Sequence, residues 1–283
     1  MDLIVDAQNA LGECILWCDR SRRLLWTDIL GRKLWCHSPS SGETRQWEMP
    51  ERLASFALTQ HDGRLLLGLE SRLAWFDMVS AAVETIAAVE GDVAETRLND
   101  GRCDRSGRFV FGTMNEAPGR APIGHFYRLD PALRLERLAL APVAIANSIC
   151  FSLDGRTMYF CDSLQGEIRC CDYGDEVGNE RVFAELPTDG GEPDGSVIDA
   201  EGYLWNAEWG ASRIVRYAPD GSVERRIELP VSQPTCPCFG GGELSELFVT
   251  SALVDLLVPE RFAGGVFTAS PAGVRGMPES RFG

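Results

Sequence analysis

Oxygen-bearing side chains recur at one offset along this chain. Asn99, Asn147 and Asp194 each stand eight residues before a turn glycine, at Gly107, Gly155 and Gly202. Ser55 holds the same offset before Gly63, and Glu13 falls one place away, nine residues before Arg22. Two amide oxygens (Asn99, Asn147) and two carboxylates (Glu13, Asp194) converging on one axis form a hard-oxygen site. Such donors suit Ca²⁺, Mg²⁺ or Mn²⁺, and carboxylates also hold Zn²⁺. Each of these residues alone is an ordinary turn former; four in phase point to a shared site. Arg97 lies two residues before Asn99 and shares its strand face, because strand side chains alternate with period two. It is suited to bind a substrate hydroxyl or to neutralise nearby carboxylates. Glu208 and Trp209 follow a strand of the Asp194 repeat and are expected near the rim. His37, His61 and His125 all fall outside the register, which leaves no Ser-His-Asp or Cys-His arrangement.

The elements that position these residues follow from the turn itself. It reads Asp62-Gly63-Arg64-Leu65, Ser106-Gly107-Arg108-Phe109, Asp154-Gly155-Arg156-Thr157 and Glu201-Gly202-Tyr203-Leu204, with a degenerate copy at Ser21-Arg22-Arg23-Leu24. Each copy opens a pair of short runs rich in aromatic and branched residues, such as Leu24–Asp28 with Arg32–Cys36. A sixth copy begins near Ser245. The anchors Arg22, Gly63, Gly107, Gly155, Gly202 and Ser245 lie 41 to 48 residues apart. That period is the mark of a repeat array, and four strands per repeat make a propeller blade. No apolar run keeps helical spacing over three turns; Val79 to Val89 also reads as a turn and a strand. We therefore expect an all-β, six-bladed β-propeller as a single domain over residues 1–283. The N-terminal run Leu3–Asp6 completes the last blade and closes the ring, which removes open sheet edges. The segment before each turn is the innermost strand, so Asn99, Asn147 and Asp194 start three consecutive inner strands. The loop 115–123 is the longest departure from the repeat and is expected at the mouth of the channel.

Bulk properties exclude several classes. The 283 residues are 45% hydrophobic and 24% charged, enough to bury a full core. The net charge of −15 argues against nucleic acid and against an anionic membrane surface. There is no run of 18 apolar residues, and the start MDLIVDAQNALGE lacks the basic and apolar regions of a secretory signal. The ten cysteines sit mostly inside apolar strand runs. They read as small buried hydrophobes in a reducing cytoplasm rather than as a disulfide framework or zinc finger.

Several motifs, in order, resemble one known family. Leu11-Gly12-Glu13-Cys14-Ile15-Leu16-Trp17 looks like its opening Gly-Glu-x-x-x-Trp. Arg97-Leu98-Asn99-Asp100-Gly101-Arg102 with Gly112-Thr113-Met114 looks like its Arg-Phe-Asn-Asp-Gly-Lys…Gly-Thr-Met segment. Asn147 with Asp162-Ser163, Pro193-Asp194-Gly195, and Phe248-Val249-Thr250-Ser251 match further motifs. The chain thus resembles the regucalcin/gluconolactonase-like sugar lactonases, also called the senescence marker protein family, over essentially its whole length. The resemblance implies a propeller with one divalent metal ion (Ca²⁺ or Zn²⁺, with Mn²⁺ or Mg²⁺ also accepted). Its ligands would be Glu13, Asn147 and Asp194; Arg97 and Asn99 would bind substrate hydroxyls; Asp194 would be the general base. The family often carries Gly-Thr-Met-x-Glu-Glu, whereas this chain reads Asn115-Glu116-Ala117, so Glu116 alone remains to contact the sugar. The implied reaction is hydrolysis of an aldono-1,4- or 1,5-lactone, with L-arabinono-1,4-lactone as the first expectation. The rival expectations are a calcium-binding or interaction propeller without catalysis, and another metal-dependent esterase or phosphotriesterase.

Overall fold

The computed structural model describes residues 1–188, 190–258 and 260–283. The architecture is all-β: six four-stranded antiparallel sheets, the blades of a six-bladed β-propeller. Among the described residues the one helical element is a three-residue 3₁₀ turn, Ser163–Gln165. The first strands of blades one to six are Gly12–Cys18, Leu53–Leu58, Thr96–Cys103, Ala146–Phe151, Glu192–Ile198 and Pro234–Gly240. Blade six takes its fourth strand, Asp2–Val5, from the N-terminus, paired antiparallel with Val266–Ala269. The closure expected from Leu3–Asp6 is therefore present. Val83–Ala88 is a strand after a turn, not a helix.

The chain forms two compact units. Blades two, three and four, Leu53–Glu185, make one together with the terminal Ser280–Gly283. Blades one, five and six make the other, from Met1–Arg52 and Leu186–Glu279. Inside each unit the core lies between the faces of adjacent blades. Leu66, Phe109, Phe111 and Leu129 pack between blades two and three, joined by Phe282 from the terminal segment. Val110, Phe126, Ile149 and Phe160 fill the space between blades three and four. In the other unit Ile15, Trp17, Trp26 and Phe248 form the equivalent layer between blades six and one. Sandwiched strands are buried on both faces, so the sequence there is continuously apolar instead of alternating, as at Leu65-Leu66-Leu67. The outermost strands read the opposite way. Thr44–Glu48 and Val223–Glu228 are largely exposed and charged, which blunts them as edges.

The repeated turn is a positive-φ corner. Arg22 (φ 52°) and Leu244 (φ 55°) occupy the conformation held elsewhere by Gly107 (φ 78°) and Gly155 (φ 70°). The degenerate first copy is thus a true copy, and the sixth anchor is Leu244, one residue before the expected Ser245. Asp104 and Asp199 brace two of these turns: Asp104 Oδ1 accepts from the Ser106 and Arg108 amides, and Asp199 Oδ1 from the Glu201 and Tyr203 amides.

Candidate active site

Each first strand is bulged near its start. In blades one, three, four, five and six, two of its residues oppose a single residue of the second strand. A bulge turns a side chain out of the normal alternation and so re-aims it. The pairing also corrects the eight-residue register. Asn99 and Asp194 are the first residues inside their bulges. Glu13 and Asn147 are instead the last paired residues before theirs, opposite Thr27 and Cys161. Each is followed by a residue at positive φ, Cys14 at 47° and Ser148 at 61°. Glu13 is therefore the structural equivalent of Asn147 in a hairpin of the same length, and its apparent one-residue slip arises because the positive-φ corner at Arg22 falls one place later in its hairpin than Gly155 does. A bulge peculiar to blade one does not explain it, because every blade has one. Ser55 lies after its bulge, paired with Gly68, and is fully buried. It is a packing residue.

In the unit of blades two to four, the expected side chains form one polar relay. Arg97 Nε donates to Glu116 Oε1 at 3.1 Å, and Arg97 Nη1 donates to Asn99 Oδ1 at 2.8 Å. Asn99 Nδ2 donates to Asn147 Oδ1 at 3.0 Å and to the Ala146 carbonyl at 3.0 Å. Asn147 Nδ2 donates to Ser163 Oγ at 2.9 Å. Arg97, Asn99, Asn147 and Ser163 are all buried. The polarity of this relay follows from donor inventory. A guanidinium can only donate, so Asn99 must turn its oxygen to Arg97 and its nitrogen to Asn147. Asn147 must then meet Asn99 with its oxygen, which keeps a second lone pair. The Ser163 hydroxyl accepts or donates as required and does not decide the orientation. Glu116 is held in range by its own loop: Asn115 Nδ2 donates to the Ala121 carbonyl, and Asn115 Oδ1 accepts from the Ala117 amide, each at 2.8 Å.

Two aspartates hold the strand entries; the sequence reading quoted Asp162 within a motif and assigned neither of them a role. Asp162 accepts the Ala144 and Ile145 amides, at 2.8 and 3.1 Å, just before the Asn147 strand. Asp28 does the same in blade one, accepting the Ala10 and Leu11 amides at 3.1 and 3.0 Å just before Glu13. Both end the second strand of their blade and sit opposite the residue before the candidate ligand. That shared position was a readable repeat, masked by the abundance of turn aspartates. Asp100 braces the Asn147 bulge from blade three, its Oδ2 accepting from the Ile149 amide at 2.8 Å. Burial raises the Asp100 carboxyl above its ordinary value, opposed by that amide and by Arg102.

In the unit of blades one, five and six, Asp194 is buried and Glu13 half-buried. Asn206 fixes the Asp194 bulge from the second strand, its Nδ2 donating to the Asp194 carbonyl at 2.9 Å and to Ser196 Oγ at 3.0 Å. Gly195 is required by a close approach: a Cβ there would meet Cα, Cβ and Sγ of Cys236, each at 2.9 Å. On the other side, Thr235 Oγ1 donates to the carbonyl of Gly12, the residue before Glu13. The first strand of blade six thus lies between the strands that carry the two carboxylates. Glu208 does not reach the rim. It is fully buried, with its Oε2 accepting from Arg213 Nε at 2.5 Å and its Oε1 from the Tyr217 hydroxyl at 2.7 Å. Its task is structural, because a buried carboxylate must be paired.

Among the described residues no group of three His, Cys, Asp or Glu side chains is arranged to hold a metal ion. The expected ligand set, two carboxylates and one amide oxygen, is of a different kind and is chemically suited to a hard cation. The relay adds the feature such a set needs, since it commits the amide of Asn147 to one orientation. The ten cysteines are all free thiols and buried. No helix is long and apolar enough to cross a membrane among the described residues.

Six four-stranded blades, with polar residues re-aimed by bulges in their first strands, define the class as a six-bladed β-propeller. Residues 11–253 match the family described as SMP-30/Gluconolactonase/LRE-like region, and the chain belongs to that family. The L-arabinolactonase of Azospirillum brasilense is 51% identical, covering 99% of this chain and 94% of that protein. Regucalcin of Xenopus laevis is 32% identical, covering 100% of this chain and 98% of its own. The crystal structure of a calcium-binding protein, regucalcin, from Agrobacterium tumefaciens superposes with a TM-score of 0.92 at 31% identity. It covers 99% of this chain and 96% of that one.

Proposed function

We propose that this enzyme is a sugar lactonase, that its first substrate is L-arabinono-1,4-lactone, and that it works with one divalent metal ion. The 51% identity to an L-arabinolactonase over nearly the whole of both chains is the observation that carries the substrate. Glu13, Asn147 and Asp194 would hold the cation. When bound, it would supply Lewis-acid polarisation of the lactone carbonyl.

The side chains do the rest. Arg97 and Asn99 bind sugar hydroxyls from fixed positions, since each is already anchored by a neighbour. Pre-anchored side chains lose little freedom when substrate arrives. Glu116 fixes the Arg97 guanidinium and is a candidate sugar contact at the edge of the relay. Asp194 takes the proton from the attacking water, and its bulge, fixed by Asn206 and Cys236, sets its direction. The ester C–O bond breaks and the ring oxygen leaves as a hydroxyl, giving the aldonic acid.

The test is a pH-indicator assay of EDTA-stripped protein, reloaded with Ca²⁺, Zn²⁺, Mn²⁺ or Mg²⁺, over a panel of aldonolactones. Turnover of L-arabinono-1,4-lactone above its spontaneous rate is expected, and Asp194→Asn should lower kcat by about 10²–10⁴-fold with unchanged circular dichroism. Tight Ca²⁺ binding without turnover of any lactone would replace this reading with a binding role.

A further inference from the structure

The blade between the two carboxylate strands contributes no ligand of its own, yet it ends on an unusual side chain. Gln233 stands immediately before the first strand of blade six, and its carbonyl accepts from the Ala252 amide at 3.1 Å. Pairing by bulge makes Thr235 the equivalent of Asn99 and Asp194. Counting back two residues in each strand then makes Gln233 the equivalent of Arg97, the residue expected to bind substrate from blade three. Gln233 is 7% exposed. Its Oε1 is buried and accepts no hydrogen bond.

Burying an unmatched amide oxygen is costly, so folding alone does not favour glutamine here; an apolar residue of that size would avoid the penalty. The neighbourhood says what would match it. Ala252 also bridges to Leu11, two residues before Glu13. Thr235 is bonded to the Gly12 carbonyl and to Thr250 Oγ1, so its hydroxyl is committed to structure. Cys236 abuts Gly195, next to Asp194. Gln233 is therefore the polar group that blade six offers at the end where Glu13 and Asp194 stand.

We propose that Gln233 is a specificity residue whose amide oxygen accepts a hydrogen bond from a hydroxyl of the bound sugar lactone. The proposal rests on the lactonase reading. Arg97 and Asn99 recognise hydroxyls with a guanidinium and an amide; Gln233 adds a neutral acceptor from a different blade. A substrate hydroxyl that donates to it turns an unfavourable buried oxygen into a matched one. An analogue lacking that hydroxyl leaves the penalty in place, so discrimination exceeds what apolar contact could supply.

The experiment compares the metal-loaded parent with Gln233→Met, and with Gln233→Ala should the longer side chain disturb packing. Steady-state kinetics are measured on L-arabinono-1,4-lactone and on its 2-deoxy, 3-deoxy and 5-deoxy analogues, with thermal unfolding alongside. The expected result is a KM for the parent lactone raised about tenfold or more, kcat changed much less, and Tm unchanged or higher. For one deoxy analogue the parent's preference should collapse in the variant, because the hydroxyl and its acceptor form one pair. An active parent whose variants keep KM and the full preference overturns the inference and leaves the lactonase reading intact. A parent that turns over no lactone overturns both.

Discussion

Replacing Asn99 by aspartate tests the relay with opposing signs. The two side chains are nearly isosteric, but the introduced carboxylate can only accept. Its first oxygen keeps the 2.8 Å bond from Arg97. Its second would face two acceptors, Asn147 Oδ1 and the Ala146 carbonyl, each at 3.0 Å from the original nitrogen. Asn147 relieves one of these clashes by reversing its amide. Its nitrogen then donates to the new carboxylate, and the Ser163 hydroxyl donates to its oxygen. One buried carbonyl, that of Ala146, is left unmatched at about 1–3 kcal/mol. For a chain of this size that lowers Tm by roughly 2–10 °C. The reversal also presents N–H in place of oxygen to the proposed cation. Disturbing the groups that orient a ligand typically weakens metal binding about 10–100-fold. The added negative charge alone would strengthen cation binding, so a fall can come only from the reversed amide. Calorimetric titration of EDTA-stripped N99D and parent with Mn²⁺ and Ca²⁺ measures the difference. Unchanged or tighter binding by N99D would refute the relay as the device that sets Asn147.

Two stability predictions follow from other parts of the fold. Phe282 is buried against Trp75, with ring centroids 5.7 Å apart, and its amide donates to the Leu58 carbonyl at 2.8 Å. Phe282→Ala should cost about 3–5 kcal/mol and lower Tm by about 10 °C in thermal unfolding, and an unchanged Tm would show that the terminal segment is not part of the core. Burial pushes the Cys171 thiol up to about 12 from an ordinary value of 9.0. Between those values the native state keeps a proton that the unfolded chain loses, so this stabilisation is complete below pH 9 and declines as pH rises toward 12. Cys171→Ala should flatten the alkaline limb of a denaturant-stability profile; a limb of unchanged slope would exclude the thiol as its source.

Much of the fold was legible because it is local and repeated. A positive-φ turn every 41 to 48 residues, flanked by short apolar runs, is information held within a few neighbouring positions. Blade count, strand order and the closing N-terminal strand follow from that period and from the need to pair edges. The same ruler picks out Asn99, Asn147 and Asp194 for the proposed site, and strand alternation picks out Arg97. Asp28 and Asn206 were not picked out, and Asp162 only as part of a motif, because turn and strand aspartates and asparagines are common, and only their partners reveal which ones brace the proposed site.

What the chain could not state by itself is how the register is divided. Glu13 and Asn147 precede their bulges, while Asn99 and Asp194 lie inside theirs, and hairpins of unequal length conceal this in any count along the sequence. The same holds for Glu208, which reads as a rim carboxylate until Arg213 and Tyr217 are seen to close around it. Gln233 reads as an ordinary polar residue before a proline. Side-chain type and spacing are set along the chain, but desolvation and hydrogen-bond partnership are set by segments brought together across blades. The sequence therefore determined which residues were available for chemistry, and the tertiary structure decided which of them were committed to holding the scaffold.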